Sequence, residues 1–300
     1  MSQALLSGLA IGSAYVLMTL GFALALEIAD ILNAAHGAFV VAGMYLVVVL
    51  ADDGVPLPLS IVAATIVLTL ASYPVYRLLI ASARAEVGHR AQLVYTLLLL
   101  SGLTAIYQLM FGADIQTVRA HFGTIILYGA VLTTAQLASI LMAVLVGAVL
   151  FLSSRYSYLG KMCYIAGRYP LGARSVGVPV NRVYIGIFML SAGLAGLAGG
   201  LISTFQPASP TLGLEFLIVV ILVALAARTS IVMCTVLGFL YGITQSVLNY
   251  YASPTVAAVL PLVMFLLVII LEPRLNFTWR DVRRMLRFRV RGMRPGGDHA

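Results

Sequence analysis

Seven polar side chains stand inside or at the edges of otherwise apolar runs: Glu27, Asp30, Asn33, His36, Arg228, Gln245 and Asn249. Such groups in hydrocarbon are costly, and chains keep them for pairing, for an ion or substrate path, or for the backbone of a broken helix. Glu27 and Asp30 are one turn apart on one face of a continuing helix, with Asn33 three residues further on. A carboxylate pair there could take up a cation or a proton, or it could sit at the inner membrane edge where water reaches it. Gln245 and Asn249, at i and i+4, suit a bridge between helices.

Other chemistry is missing from the chain. Its one lysine, Lys161, is followed by Met162, whereas a P-loop needs Lys and then Ser or Thr after a glycine-rich turn. His36, His89, His121 and His299 are far apart, and neither HExxH nor GxSxG occurs. Neither a metal site nor catalysis is expected, and any nucleotide chemistry must come from another chain.

The elements that carry these residues are membrane spans. Apolar residues make up 62% of the 300 and charged ones 9%, against about 25% charged in soluble domains. Apolar runs lie at 4–26, 37–51, 57–76, 92–112, 126–153, 182–204, 213–227, 231–250 and 255–273. The runs 37–51 and 213–227 fall short of the roughly 20 residues needed to cross about 30 Å of hydrocarbon. The expected fold is therefore all-α and polytopic, with eight or nine transmembrane helices, two of them short or broken.

Charge sets the orientation. With the N-terminus outside, all of the 18 basic residues except Arg119 fall on the inner side, which gives N-out and C-in. The net charge of +8 is concentrated after the last span, where arginines from Arg274 to Arg294 form a basic cytoplasmic tail following the 1–273 membrane domain. Arginine so placed contacts lipid headgroups, and no aromatic-interleaved groove for nucleic acid is present. No Lys or Arg precedes Arg77, so the first run lacks the basic start of a signal peptide and is a retained span. Cys163 lies in a basic loop and Cys234 in a span, which argues against a disulfide.

Gly8 and Gly12, and Gly196 and Gly200, are spaced four apart, as in helix faces that pack closely within a bilayer. The inner loop 154–182 is long, basic and glycine-punctuated, with a short helix expected over about 165–176. Loops of this kind are usually functional or partner surfaces, although a solvated linker has the same composition.

The stretches GLAIGSAYVLMTLGFAL and LNAAHGAFVVAGMYL resemble the start of the branched-chain amino-acid ABC transporter permeases of the LivH/LivM type, closer to LivH. Gly8, Gly12, Tyr15, Leu20 and Gly21 match that family's first helix, and Asn33, Ala35, His36, Gly37, Gly43 and Tyr45 match its second. YTLLLLSGLTAIYQLMFGAD and ARSVGVPVNRVYIGIFMLSAGLAGLAGGLIS extend the likeness over most of residues 5–273. Two departures stand out. Tyr164 and Tyr169 replace an expected Arg and an acid in the inner loop, and ALAARTS at 224–230 replaces a turn of the form GGxGS.

The resemblance implies one transmembrane half of an importer in a bacterial inner membrane, carrying branched-chain amino acids or a related amino acid or amide. Its implied partners are a second, LivM-like permease subunit or another copy of the chain, two ATP-binding subunits, and a periplasmic or extracellular solute-binding protein. The chain itself takes no cofactor, because ATP is used by the partner subunits. Lys161, Arg168, Pro170, Arg174 and Gly177 fall in the loop expected to couple to the ATPase. Asn33, His36, Gly37 and Tyr15 are expected to line the substrate path or shape a helix break, since short helices in corresponding halves point to a transporter's binding region. The rival from another class is an ion-coupled secondary transporter that uses Glu27 and Asp30.

Overall fold

The computed structural model describes residues 1–81, 89–112, 114–118, 123–127 and 129–271, with backbone alone over 89–91. The basic tail from 274, Arg119 and residues 82–88 of the first inner loop lie outside the described residues.

The helices are α1 Ser2–Ala29, α2 His36–Asp52, α3 Leu57–Val75 (continued by a π-helical turn, Tyr76–Ile80) and α4 His89–Phe111. A hairpin of β1 Thr124–Leu127 and β2 Ala130–Thr133 precedes α5 Thr134–Tyr156. Two short helices follow, α6 Tyr158–Arg168 and α7 Pro170–Ser175, and then α8 Val180–Ile202, α9 Leu212–Ala226, α10 Ile231–Tyr251 and α11 Pro254–Leu271. Among the described residues seven helices are long and apolar enough to cross a membrane, while α2 and α9 are shorter apolar helices of 17 and 15 residues.

Three local features differ from expectation. The apolar run at 126–153 does not form one helix, because its first residues pair in the hairpin. Helix α5 begins where Thr133 and Gln136 close a capping box, with Gln136 N donating to Thr133 Oγ1 and Thr133 N to Gln136 Oε1. The inner loop carries two helices instead of one, the first starting at Tyr158, with Ser157 Oγ accepting from Gly160 N. Finally, Glu27 and Asp30 are not a pair on one helix face. Asp30 is the left-handed cap of α1 at φ 52°, where the chain leaves the helix, and Ile31 N reaches back to the Ala25 carbonyl.

Packing relates two halves. Helices α1, α2 and α3 repeat as α8, α9 and α10: long, short, long. Helix α1 packs most extensively on α10 and α8 on α3, with α1 and α8 also in contact at the centre. Each central helix is sequestered by its neighbours, whereas α3, α4, α5, α10 and α11 expose rows of Leu, Val and Ile. Outward-facing apolar rows are stable only against lipid, so the pattern is that of a membrane bundle.

The small-residue spacing works as a two-sided seam. Gly8 and Gly12 on α1 face Gly238 and Gly242 on α10, and a Cβ on Gly12 would lie 2.9 Å from the Phe239 Cα. On α8, Gly196 packs against Leu68 and the Gly43 face of α2, and Gly200 against Val47 and Ile61. Dispersion and close backbone approach replace the hydrophobic drive that a bilayer does not supply between helices.

Candidate functional site

The two short helices meet N-terminus to N-terminus. Gly37 lies in the first turn of α2 and Gly213 in that of α9, and a Cβ on Gly37 would overlap the Gly213 carbonyl group. Gly213 also approaches Leu100, midway along α4, so the meeting point is deep in the bundle. From there α2 runs toward the outer end of α4, where Tyr45 stacks on Phe111 at 4.1 Å. Helix α9 runs toward the inner end of α1.

Asn33 and His36 build the break that frees the start of α2. Both are buried. Asn33 Oδ1 accepts from Ala35 N at 3.1 Å, and its carbonyl accepts from His36 N at 3.1 Å. Ala34 N donates to Thr96 Oγ1 of α4 at 3.1 Å. These contacts occupy backbone donors that a helix start leaves without intrahelical partners.

The His36 ring ties three elements together. Nε2 lies 2.9 Å from the Met18 carbonyl, which can only accept, so Nε2 carries the proton. Nδ1 is then the acceptor for Ser191 Oγ of α8 at 3.4 Å. The ring stands edge-on to Phe22 at 5.8 Å. Among the residues lining the cavities described below, neither Asn33 nor His36 occurs.

Tyr15 goes elsewhere. It lines a cavity of about 490 Å³ between α1, α9, α10 and α11, together with Gln206, Glu215, Tyr241, Gln245 and Asn249. Tyr15 packs edge-to-face on Tyr241 at 5.1 Å and on Phe216 at 6.4 Å. The Gln245 side chain stands beside it on the same wall, and the buried Gln245 Oε1 has no hydrogen-bond partner. Gln245 and Asn249 of α10 both form cavity wall, Gln245 beside Tyr15 of α1.

Glu215 is the residue that sequence reasoning passed over. It was legible as the one acid inside the apolar run 213–227. In the first turn of α9 it complements the positive end of the helix dipole.

The inner turn between α9 and α10 keeps a left-handed backbone without glycine. Arg228 and Thr229 have φ 51° and 56°, in the segment where the resembling family carries glycines. A β-branched residue there is strained. Glu27 answers for it: Thr229 Oγ1 donates to Glu27 Oε2 at 2.5 Å. Glu27 and Asp30 are both exposed at this inner edge.

On the same side, α6 and α7 form a compact ledge. Gly167 packs on the backbone of Glu27 and Ile28, Tyr184 Oη donates to the Ala166 carbonyl at 3.0 Å, and Ala166, Ala173 and Val180 form a small core. Half-buried Cys163 faces the main bundle, and burial raises its thiol pKa above the ordinary value. Both cysteines are free.

Lys161, Arg168, Pro170, Arg174 and Gly177 are all exposed, as are Tyr164, Tyr169 and Leu171. Arg174 and Gly177 join Arg77 and Arg182 around a cavity of about 660 Å³. Among the described residues, no group of three or more His, Cys, Asp or Glu is placed to hold a metal ion.

Known proteins are similar to this chain in sequence and in fold. The chain is 24% identical over 293 residues to the probable branched-chain amino acid transport permease protein LivH of Methanocaldococcus jannaschii, covering 90% of this chain and 91% of that protein. Its fold is similar to a chain in the structure of PsaBC from Streptococcus pneumoniae in complex with Fab, with TM-score 0.52, 15% identity, and coverage of 89% and 90% of the two chains. A family model matches residues 4–269, nearly the whole membrane bundle, and the chain belongs to the family of branched-chain amino acid transport system permease components.

Proposed function

We propose that this chain is one transmembrane half of an ABC importer for a small polar solute, most simply a branched-chain amino acid or a related amino acid or amide. The observation that carries the reading is the paired break: two short helices meeting N-terminus to N-terminus at Gly37 and Gly213, near a cavity whose wall includes Glu215, Gln245 and Asn249. Discontinuous helices at a repeat interface are where transporters bind their cargo. Family membership and the LivH relative support the same class.

A second permease subunit, LivM-like or identical, completes the path. Two separate ATPase subunits supply energy, and a soluble binding protein delivers the solute from outside. In this reading the membrane is a bacterial inner membrane. The exposed ledge of α6 and α7, basic at Lys161, Arg168 and Arg174 and apolar at Tyr164, Tyr169 and Leu171, is the surface offered to the ATPase. Glu27 serves as an anchor for the α9–α10 turn, which removes the motive for a carboxylate-coupled secondary transporter.

The test is uptake of radiolabelled leucine into proteoliposomes that contain the chain with its ATPase and permease partners, its binding protein supplied outside. Uptake should require ATP and survive collapse of the proton gradient. Deleting 165–176 should abolish it while leaving membrane insertion intact. Uptake by this chain alone, driven by the proton gradient, would overturn the proposal.

A further inference from the structure

Three arginines converge where the inner ends of two packed spans meet. Arg77 lies in the last turn of the span Leu57–Ile80, Arg182 in the first turn of the span Val180–Ile202, and Arg174 comes from α7. All three line one cavity of about 660 Å³, together with Asn181 and an apolar wall of Val178, Val180 and Ile185. Among the described residues, the lining contains neither Asp nor Glu. Arg77 sits over the Tyr73 ring, 5.9 Å from its centroid, a contact that holds the guanidinium without neutralising it. No side chain caps the start of α8, so its leading N–H groups and the helix dipole add positive field to the same wall.

Such a cavity takes an anion, and its position selects the kind. Arginine at the cytoplasmic end of a span lies at headgroup depth, and exposed Tyr73, one turn before Arg77, is an aromatic of the membrane interface. Leu70 on α3 and Leu78 beside Arg77 are 61% and 72% exposed, which is surface for lipid. The apolar wall offers contact to the first carbons of an acyl chain, which a free phosphate lacks. Basic pockets between membrane helices on the cytoplasmic side are where multiply charged lipid headgroups bind.

We propose that Arg77, Arg174 and Arg182 form a site for the phosphate groups of an inner-leaflet anionic phospholipid, their three charges favouring a headgroup with two phosphates. Guanidinium forks can pair with phosphate oxygens two N–H groups at a time. Bound there, the lipid ties α7 to the inner ends of α3 and α8. The site shares no residue with the cavity lined by Glu215, and it does not depend on the importer reading.

The test uses the full chain in proteoliposomes that contain a diphosphatidylglycerol with a photoactivatable diazirine near the headgroup end of one acyl chain. After irradiation, labelled peptides are mapped by mass spectrometry. Label should reach residues 178–185. Arg77→Gln combined with Arg182→Gln should lower it about tenfold or more, since each arginine near the surface is worth roughly 1 kcal/mol. Arg77→Lys with Arg182→Lys keeps the charge without the planar fork and should retain about half of the label. The arginine-rich segment 274–294 is the internal reference, and its label should not change. Arg155→Gln, in the last turn of α5 and outside the cavity lining, should alter label at 178–185 by less than about twofold.

Unlabelled diphosphatidylglycerol should displace the probe, whereas phosphatidylcholine, inorganic phosphate and ATP should not. Displacement by phosphate or ATP would make this a soluble-anion site and overturn the proposal. An equal loss at 274–294, or an equal loss with Arg155→Gln, would reduce it to general attraction by a basic surface. Unchanged label in the glutamine pair, or a loss as complete in the lysine pair, would show that these arginines do not bind the lipid by charge.

Discussion

Gly37 and Gly213 touch through bare backbone, and through them α2 and α9 share one origin deep in the bundle. The contact is asymmetric. A Cβ on Gly37 would run into the Gly213 carbonyl group, whereas a Cβ on Gly213 would find its nearest neighbours at 3.4 Å or more. Gly37→Ala should therefore cost roughly 3 kcal/mol, and Gly213→Ala less than about 1 kcal/mol. Thermal unfolding in detergent, read side by side for the two variants, checks the order. Equal effects would mean that the helix starts are not locked as described.

His36 predicts a loss of stability that transport assays alone would misread. His36→Ala leaves the Met18 carbonyl without its partner and removes the ring packed on Phe22. The expected cost is about 2–4 kcal/mol from the unsatisfied group and the cavity together. The yield of folded protein by size-exclusion chromatography and its unfolding midpoint should fall in parallel. Full stability in the alanine variant would remove the positioning role.

Glu27 and Thr229 form a pair that a double-mutant cycle can measure. The hydrogen bond is at an exposed edge, so a coupling of about 1 kcal/mol is expected between Glu27→Ala and Thr229→Ala. In the Glu27→Ala background, Thr229→Gly should stabilise by about 1 kcal/mol, because glycine adopts φ near 56° without the steric cost that threonine bears. A destabilising result there would show that the turn does not hold the left-handed geometry.

Cys163 gives a pH-dependent readout on the inner ledge. Its pKa is raised by burial, so at pH 7 to 8 it carries less thiolate than an ordinary cysteine. Maleimide labelling of the native protein should be slow, should speed up with pH only above the usual cysteine range, and should become ordinary after unfolding in dodecyl sulfate. Rapid native labelling at pH 7 would show that α6 does not press this face onto the bundle.

Much of the architecture follows from local properties of the chain. The length of each apolar run, the placement of arginine and the fourfold spacing of glycine act within one helix or its flanks, so spans, orientation, the two short helices and the Gly8–Gly12 seam are legible in order along the sequence. The Ala35 N to Asn33 Oδ1 contact is equally local, since an Asx-type turn is built from neighbours. Local pattern misleads where a longer-range contact competes. The start of the apolar run at 126–153 has a span's composition, but Ile126, Leu127 and Ala130–Thr133 pair in a hairpin, whose Val131 is held by Gln3 near the N-terminus. Asp30 continues the helical spacing of Glu27 but turns out of the helix.

The candidate site belongs to the tertiary structure. Tyr15, Glu215 and Gln245 come from α1, α9 and α10, and no periodicity links positions so far apart. Alone in an apolar run, Glu215 has the form of a helix-start acid. Only the packing of α9 against α1 and α10 brings it to the same cavity wall as Tyr15 and Gln245. Sequence therefore determined which segments cross the membrane and where each must break, because transfer free energy and backbone satisfaction are summed segment by segment. Which polar groups meet was decided by helix faces closing on one another, and that closure depends on small residues in several non-consecutive helices at once.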